Sequence, residues 1–315
     1  MSRGGVMARD LSATELVRGS LRGRRMDLRG LAFQGLLLLA LLISLAILIT
    51  LLADIIQGSL PVFRERGVDF VTSNVSSLPE RAGVAQGIRG SLTIVSFVAI
   101  LSFPLGIGAA IYIEEYAYDT RLTRVINANI RNLAGVPSIV YGLLGIALFV
   151  QFGGLAALTG GRSVISAGLT MAILVLPIVV ITSAEALRAV PDSIREAGFG
   201  VGATRWEVVR SHVLPYAAPG IFTGSVLTMA RAFGEAAPLI LIGAATGFLS
   251  TGSAGFFEQL RGPYTALPVQ VFDFATRNLR AFKASTAAAI VVLVGILLLV
   301  NTAAIILRNR YERRW

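Results

Sequence analysis

Ser193-Ile194-Arg195-Glu196-Ala197-Gly198-Phe199-Gly200-Val201-Gly202-Ala203-Thr204-Arg205-Trp206-Glu207, followed by Leu214-Pro215, is a polar island in an apolar chain. It separates two segments of membrane-spanning length, roughly 164–183 and 217–243. Ser193 and Glu196 have the spacing of a capping box: the hydroxyl caps the first backbone N–H groups and the carboxylate reaches back. Pro191 and Asp192 stand just outside that helix or at its start. Glycines at 198, 200 and 202 weaken it, and Gly202 supplies a left-handed stop. Thr204 and Glu207 repeat the capping-box spacing, and the second helix is predicted to run to His212–Leu214 and end at Pro215. Two short helices with an exposed turn form a knob shaped to enter a groove. Such an insert points to a subunit driven by a partner.

The rest of the chain supplies the setting. It has 315 residues, 55% hydrophobic and only 15% charged, with a mean hydropathy of +0.74; a soluble domain of this size carries more charge. Six apolar segments stand at roughly 33–53, 92–113, 133–152, 164–183, 217–243 and 285–307. Each is near the ~20 residues that span a bilayer as helix. The predicted fold is an all-α membrane protein with six transmembrane helices. The first segment follows about thirty polar residues and has no small-x-small site close behind it, so it does not read as a cleaved signal. With no cysteine in the chain, disulfides and thiol ligands are excluded.

The net charge of +10 suggests nucleic acid until position is considered. Seventeen of the 28 Lys and Arg fall before residue 30 or in 121–124, 188–210 and 308–314; nine fall in the alternate loops 58–90, 153–163 and 247–284. Positive charge gathers on the cytoplasmic side, which predicts both termini inside and leaves no role for nucleic acid. Residues 1–30 read as a basic cytoplasmic leader and 31–315 as the transmembrane domain. Leu16, Val17 and Leu21 of the leader share a helical face suited to anionic lipid, with a disordered basic tail the plainer reading. Pro104 and Pro177 predict bends in the second and fourth spans. Gly135, Ser138, Gly142 and Gly145 form a small-residue packing stripe in the third. The loop 247–284, punctuated at Gly262-Pro263 and Leu267-Pro268, is predicted to hold a partial re-entrant or interfacial element.

Several chemistries are excluded or unsupported. A phosphate-gripping P-loop needs Gly-Lys-Ser/Thr, yet the single lysine, Lys283, precedes Ala284. Any ATP and magnesium therefore belong to another chain. The sole histidine, His212, has no catalytic companion, and no cluster has metal-ligand spacing. The charges inside the apolar segments carry more weight. Arg231 and Glu235 lie mid-segment in the fifth span, where each costs ~2.5–3.5 kcal/mol on insertion scales. Four residues apart on a helix, they share a face, and with Gly224, Thr228 and Pro238 they make one small or polar stripe. Lipid penalises that face, so Arg231, Glu235 and Thr228 are candidate pathway residues, an assembly-only ion pair being the simpler alternative. Glu185 and Arg188 read as interfacial, and Arg131 as snorkelling from the start of the third span.

The 193–215 stretch resembles the EAA loop of permease subunits in binding-protein-dependent ABC importers, the coupling helix that docks in the ATPase. Further stretches are similar to the PstA-type phosphate permeases: Ile111-Tyr112-Ile113-Glu114-Glu115-Tyr116-Ala117, Gly135-Val136-Pro137-Ser138-Ile139-Val140-Tyr141-Gly142, Ala230 to Pro238, and Thr265 to Val271. The likeness covers about residues 90–308. Two departures stand out: Gly198 replaces the usual second alanine of the motif, and His212 replaces a hydrophobic residue. The resemblance implies a type I importer permease fold in the bacterial cytoplasmic membrane. It also implies a homologous PstC-type permease, two PstB-type ATPase subunits and a PstS-type phosphate-binding protein as partners. Ser193, Glu196, Ala197, Gly202, Thr204, Glu207, Leu214 and Pro215 become the expected ATPase-coupling residues. The nearest alternatives are a permease for sulfate, molybdate or phosphonate, or the PstC-type partner itself. A secondary anion transporter or channel is the reading from another class, and the capped knob argues against it.

Overall fold

A computed structural model describes residues 28–151, 153–244, 256–277 and 281–312 of the chain; all but the last residues of the predicted leader lie outside them. The chain divides into two units, residues 1–54 and 55–315. Helix α1 (Leu28–Arg66) begins in the first unit. There its apolar side chains, such as Leu36, Leu41 and Ile47, are exposed, as lipid contact requires.

In the second unit, α1 ends and the short α2 (Val68–Thr72) follows. Helix α3 (Ala85–Ile111) runs through Pro104 and is extended by a π-helical turn, Tyr112–Tyr116. Then come α4 (Arg121–Ala134), α5 (Ser138–Gly145) with its π turn Ile146–Gln151, and α6 (Gly153–Thr159). Helix α7 (Val164–Arg188) is the central element. The knob contains α8 (Asp192–Gly200) and α9 (Arg205–Val208), the latter leading through a π turn, Val209–Val213, into α10 (Leu214–Gly234). The chain closes with α11 (Ala237–Ile242), α12 (Phe256–Arg261), α13 (Leu267–Thr276) and α14 (Ala281–Glu312).

Among the described residues, five helical runs are long and apolar enough to cross a membrane: Leu28–Arg66, Ala85–Tyr116, Val164–Arg188, Arg205–Gly234 and Phe282–Arg310. The predicted third span is not one straight helix. It is the second half of a pair, α4 and α5, bent by 99°. The bend falls at Gly135-Val136-Pro137, where Pro137 has no N–H to continue α4 and instead sits extended before α5. Tyr141 reaches back across it, donating to the Leu133 carbonyl at 2.9 Å. Arg131 therefore lies in the last turn of α4, not at the start of a span, and Gly135 is separated from the stripe that follows it. The remaining glycines of that stripe do pack: a Cβ on Gly142 would lie 2.8 Å from the Pro238 backbone, and one on Gly145 would collide with Thr170.

The predicted fifth span also breaks. Helix α10 ends at Gly234, and Glu235 is extended, with φ −78° and ψ 121°. A continuous helix would drive the Pro238 ring into the Gly234 carbonyl and leave that carbonyl without a donor. The chain restarts as α11 with Pro238 in its first turn, where a missing N–H does no harm. Glu235 and Pro238 thus leave the helix that carries Gly224, Thr228 and Arg231, and the continuous stripe is lost.

Helix α7 packs against α3 and α10 at close range. A Cβ on Gly106 of α3 would stand 2.7 Å from Val179, and one on Gly224 of α10 would stand 2.6 Å from Thr182. Ile94, Val98, Met171, Val175 and Val269 form the centre of the core. Leu187, Val190, Val208, Val213 and Ala217 form a second apolar cluster beneath the knob. The predicted element in the loop 247–284 is α13, ten residues long and buried within protein at Leu267, Val269 and Phe274. Its first N–H donates to Ser91 Oγ at 2.8 Å. Beyond its end, Arg277 pairs with Asp273 at 2.7 Å, donates to the Ser76 carbonyl and stacks over Phe282.

Candidate functional site

The knob begins at Asp192, with Pro191 extended before it and no side-chain cap. Ser193 is inside the helix, so the predicted Ser193–Glu196 capping box does not form. Pro191 explains the shift: its fixed φ and missing N–H suit the position just before the first helical turn, which moves the start two residues earlier. The stop is as predicted. Gly202 has φ +81°, its N–H donates to the Phe199 carbonyl, and the Ala203 N–H donates to the Gly198 carbonyl. That bond pair is a Schellman closure, which needs the left-handed glycine. The second capping box forms in full. The Thr204 N–H donates to Glu207 Oε2 at 2.7 Å, and the Glu207 N–H donates to Thr204 Oγ1 at 3.4 Å.

Leu214-Pro215 does not end the second helix. From Arg205 to Gly234 the chain is one 30-residue helical run. The π turn at Val209–Val213 widens the backbone just before Pro215, where a regular α-turn would clash with the proline ring. The knob is therefore the start of a spanning helix. Ser193, Glu196, Ala197, Gly202, Thr204 and Glu207 are exposed, whereas Leu214 and Pro215 are half-buried. Phe199, Val201 and Trp206 stand out at the tip with 48%, 83% and 53% exposure. Exposed apolar groups rimmed by charge mark a protein contact. Gly198 is buried at the elbow, and a Cβ there would lie 2.8 Å from Val208. The departure from alanine is thus a close approach between the two short helices.

The underside of the knob is held by charges, among them Glu114 and Glu115 of the 111–117 stretch. Arg195 donates to Glu115 Oε1 at 2.7 Å, to the Leu187 carbonyl at 3.0 Å and to the Val190 carbonyl at 2.8 Å, and it lies 3.2 Å from Asp192. Glu115 is 6% exposed. Its hydrogen bond leads the interactions that raise the Arg195 guanidinium above its ordinary pKa. Arg188 pairs with Glu114, and Arg205 lies 5.4 Å from the centre of the Tyr116 ring. Glu114, Glu115, Arg188, Arg195 and Arg205 line a cleft of about 360 Å³ with Asp192 and Phe199. The available signal was weak: two adjacent acids ending an apolar segment, on the side that carries the arginines.

Arg231 and Glu235 are brought together despite the break. Arg231 Nε lies 3.6 Å from Glu235 Oε1, an ion-pair distance too long for a hydrogen bond. The Arg231 side chain is 51% exposed and that of Glu235 19%. Thr228 is buried, its hydroxyl donating to the Gly224 carbonyl at 2.7 Å. Among the described residues no hydrogen bond occupies the guanidinium, and a carboxylate stands alongside it.

Long apolar helical runs joined by an exposed polar knob define a multi-pass membrane protein. The chain belongs to the family described as binding-protein-dependent transport system inner membrane component, which matches residues 102–315. It is 33% identical over 239 residues to the phosphate transport system permease protein PstA 1 of Mycobacterium tuberculosis strain H37Rv, covering 75% of this chain and 74% of that protein. It is also 33% identical over 190 residues to the probable ABC transporter permease protein YqgI of Bacillus subtilis strain 168, covering 60% and 61%. The match thus spans less than two thirds of YqgI. Among solved structures, the fold is shared with a bacterial alginate ABC transporter in complex with an alginate-bound periplasmic protein, at a TM-score of 0.62 and 15% identity, covering 88% of this chain and 94% of that one.

Proposed function

We propose that the chain is one permease subunit of an ATP-driven importer of inorganic phosphate in the bacterial cytoplasmic membrane. The observation that carries this reading is the Arg205–Gly234 run: an exposed apolar tip at one end, and at the other a guanidinium to which no hydrogen bond is made among the described residues. The relatives' phosphate-transport names support the choice of substrate. With the bent α4–α5 pair counted as one crossing, the chain spans six times and both termini are cytoplasmic.

Its partners in this reading are a PstC-type permease, two PstB-type ATPase subunits and a PstS-type phosphate-binding protein. ATP and magnesium bind the ATPases; this chain holds no cofactor. ATP binding closes the ATPase pair beneath the knobs, which carry the motion into the spanning helices and turn the passage outward. Exposed Ser193, Glu196, Ala197, Thr204 and Glu207 lie on the docking knob, Gly202 shapes its turn, and Leu214 and Pro215 join it to α10. Arg231 meets the anion in an apolar passage, with Thr228 shaping the helix beside it. Glu235 neutralises Arg231 when the passage is empty and accepts a hydrogen bond from a protonated phosphate oxygen. Sulfate has no such proton at neutral pH.

The test is radiolabelled phosphate uptake into proteoliposomes holding the full complex, with and without ATP, against excess sulfate. ATP-dependent uptake that sulfate does not block supports the reading. Uptake of sulfate in place of phosphate moves the substrate, and ATP-independent flux through this chain alone overturns the proposal.

A further inference from the structure

The geometry points to Glu114-Glu115-Tyr116 as a socket through which movement of the knob is passed to the second spanning helix. Each of these three consecutive residues receives one arginine from a different element. Glu114 takes Arg188 from the end of α7, Glu115 takes Arg195 from α8, and Tyr116 takes Arg205 from α9. All three acceptors lie in the π turn that ends the second spanning run.

Arg195 is the centre of the arrangement. Its side chain is 20% exposed and that of Glu115 7%, so the pair is largely withdrawn from water. The same guanidinium donates to the Leu187 carbonyl in the last turn of α7 and to the Val190 carbonyl just beyond it. One side chain of the knob therefore ties the ends of two spanning helices together. A displacement of α8 that left α3 behind would strand a buried carboxylate, and a stranded buried charge is far more costly than a broken surface pair. The lower-energy course is for α8, the end of α7 and the end of α3 to travel together. The knob reaches α10 through the continuous backbone; it reaches α3 through these arginines and the apolar contacts beneath them. Glu115 and Arg195 are positioning residues in this scheme and touch no substrate.

The inference rests on the importer reading, because it requires a partner that moves the knob. The experiment uses the complete complex in proteoliposomes and reads ATP hydrolysis and radiolabelled phosphate uptake in the same vesicles. Three variants are compared with the unaltered chain: E115Q, the double variant E115Q/R195Q, and R124Q. The last removes the exposed Asp119–Arg124 pair and serves as control. The expected result for E115Q is retained basal ATP hydrolysis with phosphate moved per ATP reduced by about tenfold or more. The double variant strands no charge, so it assembles at least as well as E115Q and stays uncoupled, while R124Q behaves as the unaltered chain. Recovery of coupling in the double variant would mean that the pair only supports the fold, and would overturn the socket. Normal coupling in E115Q would overturn it as well. No uptake by the unaltered complex would remove the importer reading and the socket with it, which separates that failure from the other two.

Discussion

Replacing Trp206 by alanine removes the largest apolar group on the tip of the knob. Trp206 is 53% exposed. On an aromatic side chain of about 250 Å² that leaves about 130 Å² for a partner to cover. At about 25 cal/mol per Å², full burial contributes about 3 kcal/mol to docking, or roughly a hundredfold in Kd. The loss should fall on docking and spare the fold, because the indole lies outside the apolar cluster beneath the knob. The assay is titration of the assembled permease pair in nanodiscs with purified ATPase subunit. Leu298→Ala is the control: this residue is 61% exposed on α14, far along the chain from the knob, and should leave the affinity unchanged. An affinity for Trp206→Ala within about twofold of the unaltered chain would refute the claim that the tip enters the ATPase.

Three further outcomes follow from the geometry. Gly198→Ala places a methyl 2.8 Å from Val208; overpacking of about 1–3 kcal/mol outweighs the helix-propensity gain of about 1 kcal/mol, so thermal stability of the complex should fall, and adding Val208→Ala should reverse much of the overpacking part. Glu235→Gln should narrow the preference for phosphate over sulfate in competitive uptake, and an unchanged preference would sink the selectivity role given to this carboxylate. Arg277→Gln removes the partner of Asp273 and the cation over Phe282; a loss of about 3 kcal/mol is expected, read as a lower unfolding midpoint in differential scanning of the complex.

Some of this architecture is written locally, and those parts are legible in the sequence. Gly202 needs only its own φ, and Thr204–Glu207 closes within four residues, so both are found where spacing alone puts them. Apolar segments of membrane length are equally plain. Ser193 was misread because Pro191, two residues away, has the stronger claim on where the helix begins. The break at Glu235 was in principle readable, since Pro238 stands four residues after Gly234 and its ring opposes that carbonyl. Pro215 looks the same on paper, yet the helix passes it because an extra residue widens the preceding turn. Arg195 and Glu115 are 80 residues apart, and only the folded packing of α3, α7 and α8 brings them to 2.7 Å. A pairing of that kind has no local pattern from which to be read.

The π turn at Val209–Val213 also sets an angular phase. One additional residue in a helix rotates everything beyond it by about 100° relative to an unbroken α-helix. Arg231 therefore faces where it does because the widened turn precedes it. A knob transplanted from a permease that lacks this turn, joined beyond Leu214 so that donor sequence replaces Val209–Val213, would turn Arg231 by that angle relative to the knob, even with every residue beyond the junction retained. Chimaeras that exchange the docking loop should be joined upstream of Val209, so that this chain keeps its widened turn and the phase that follows from it.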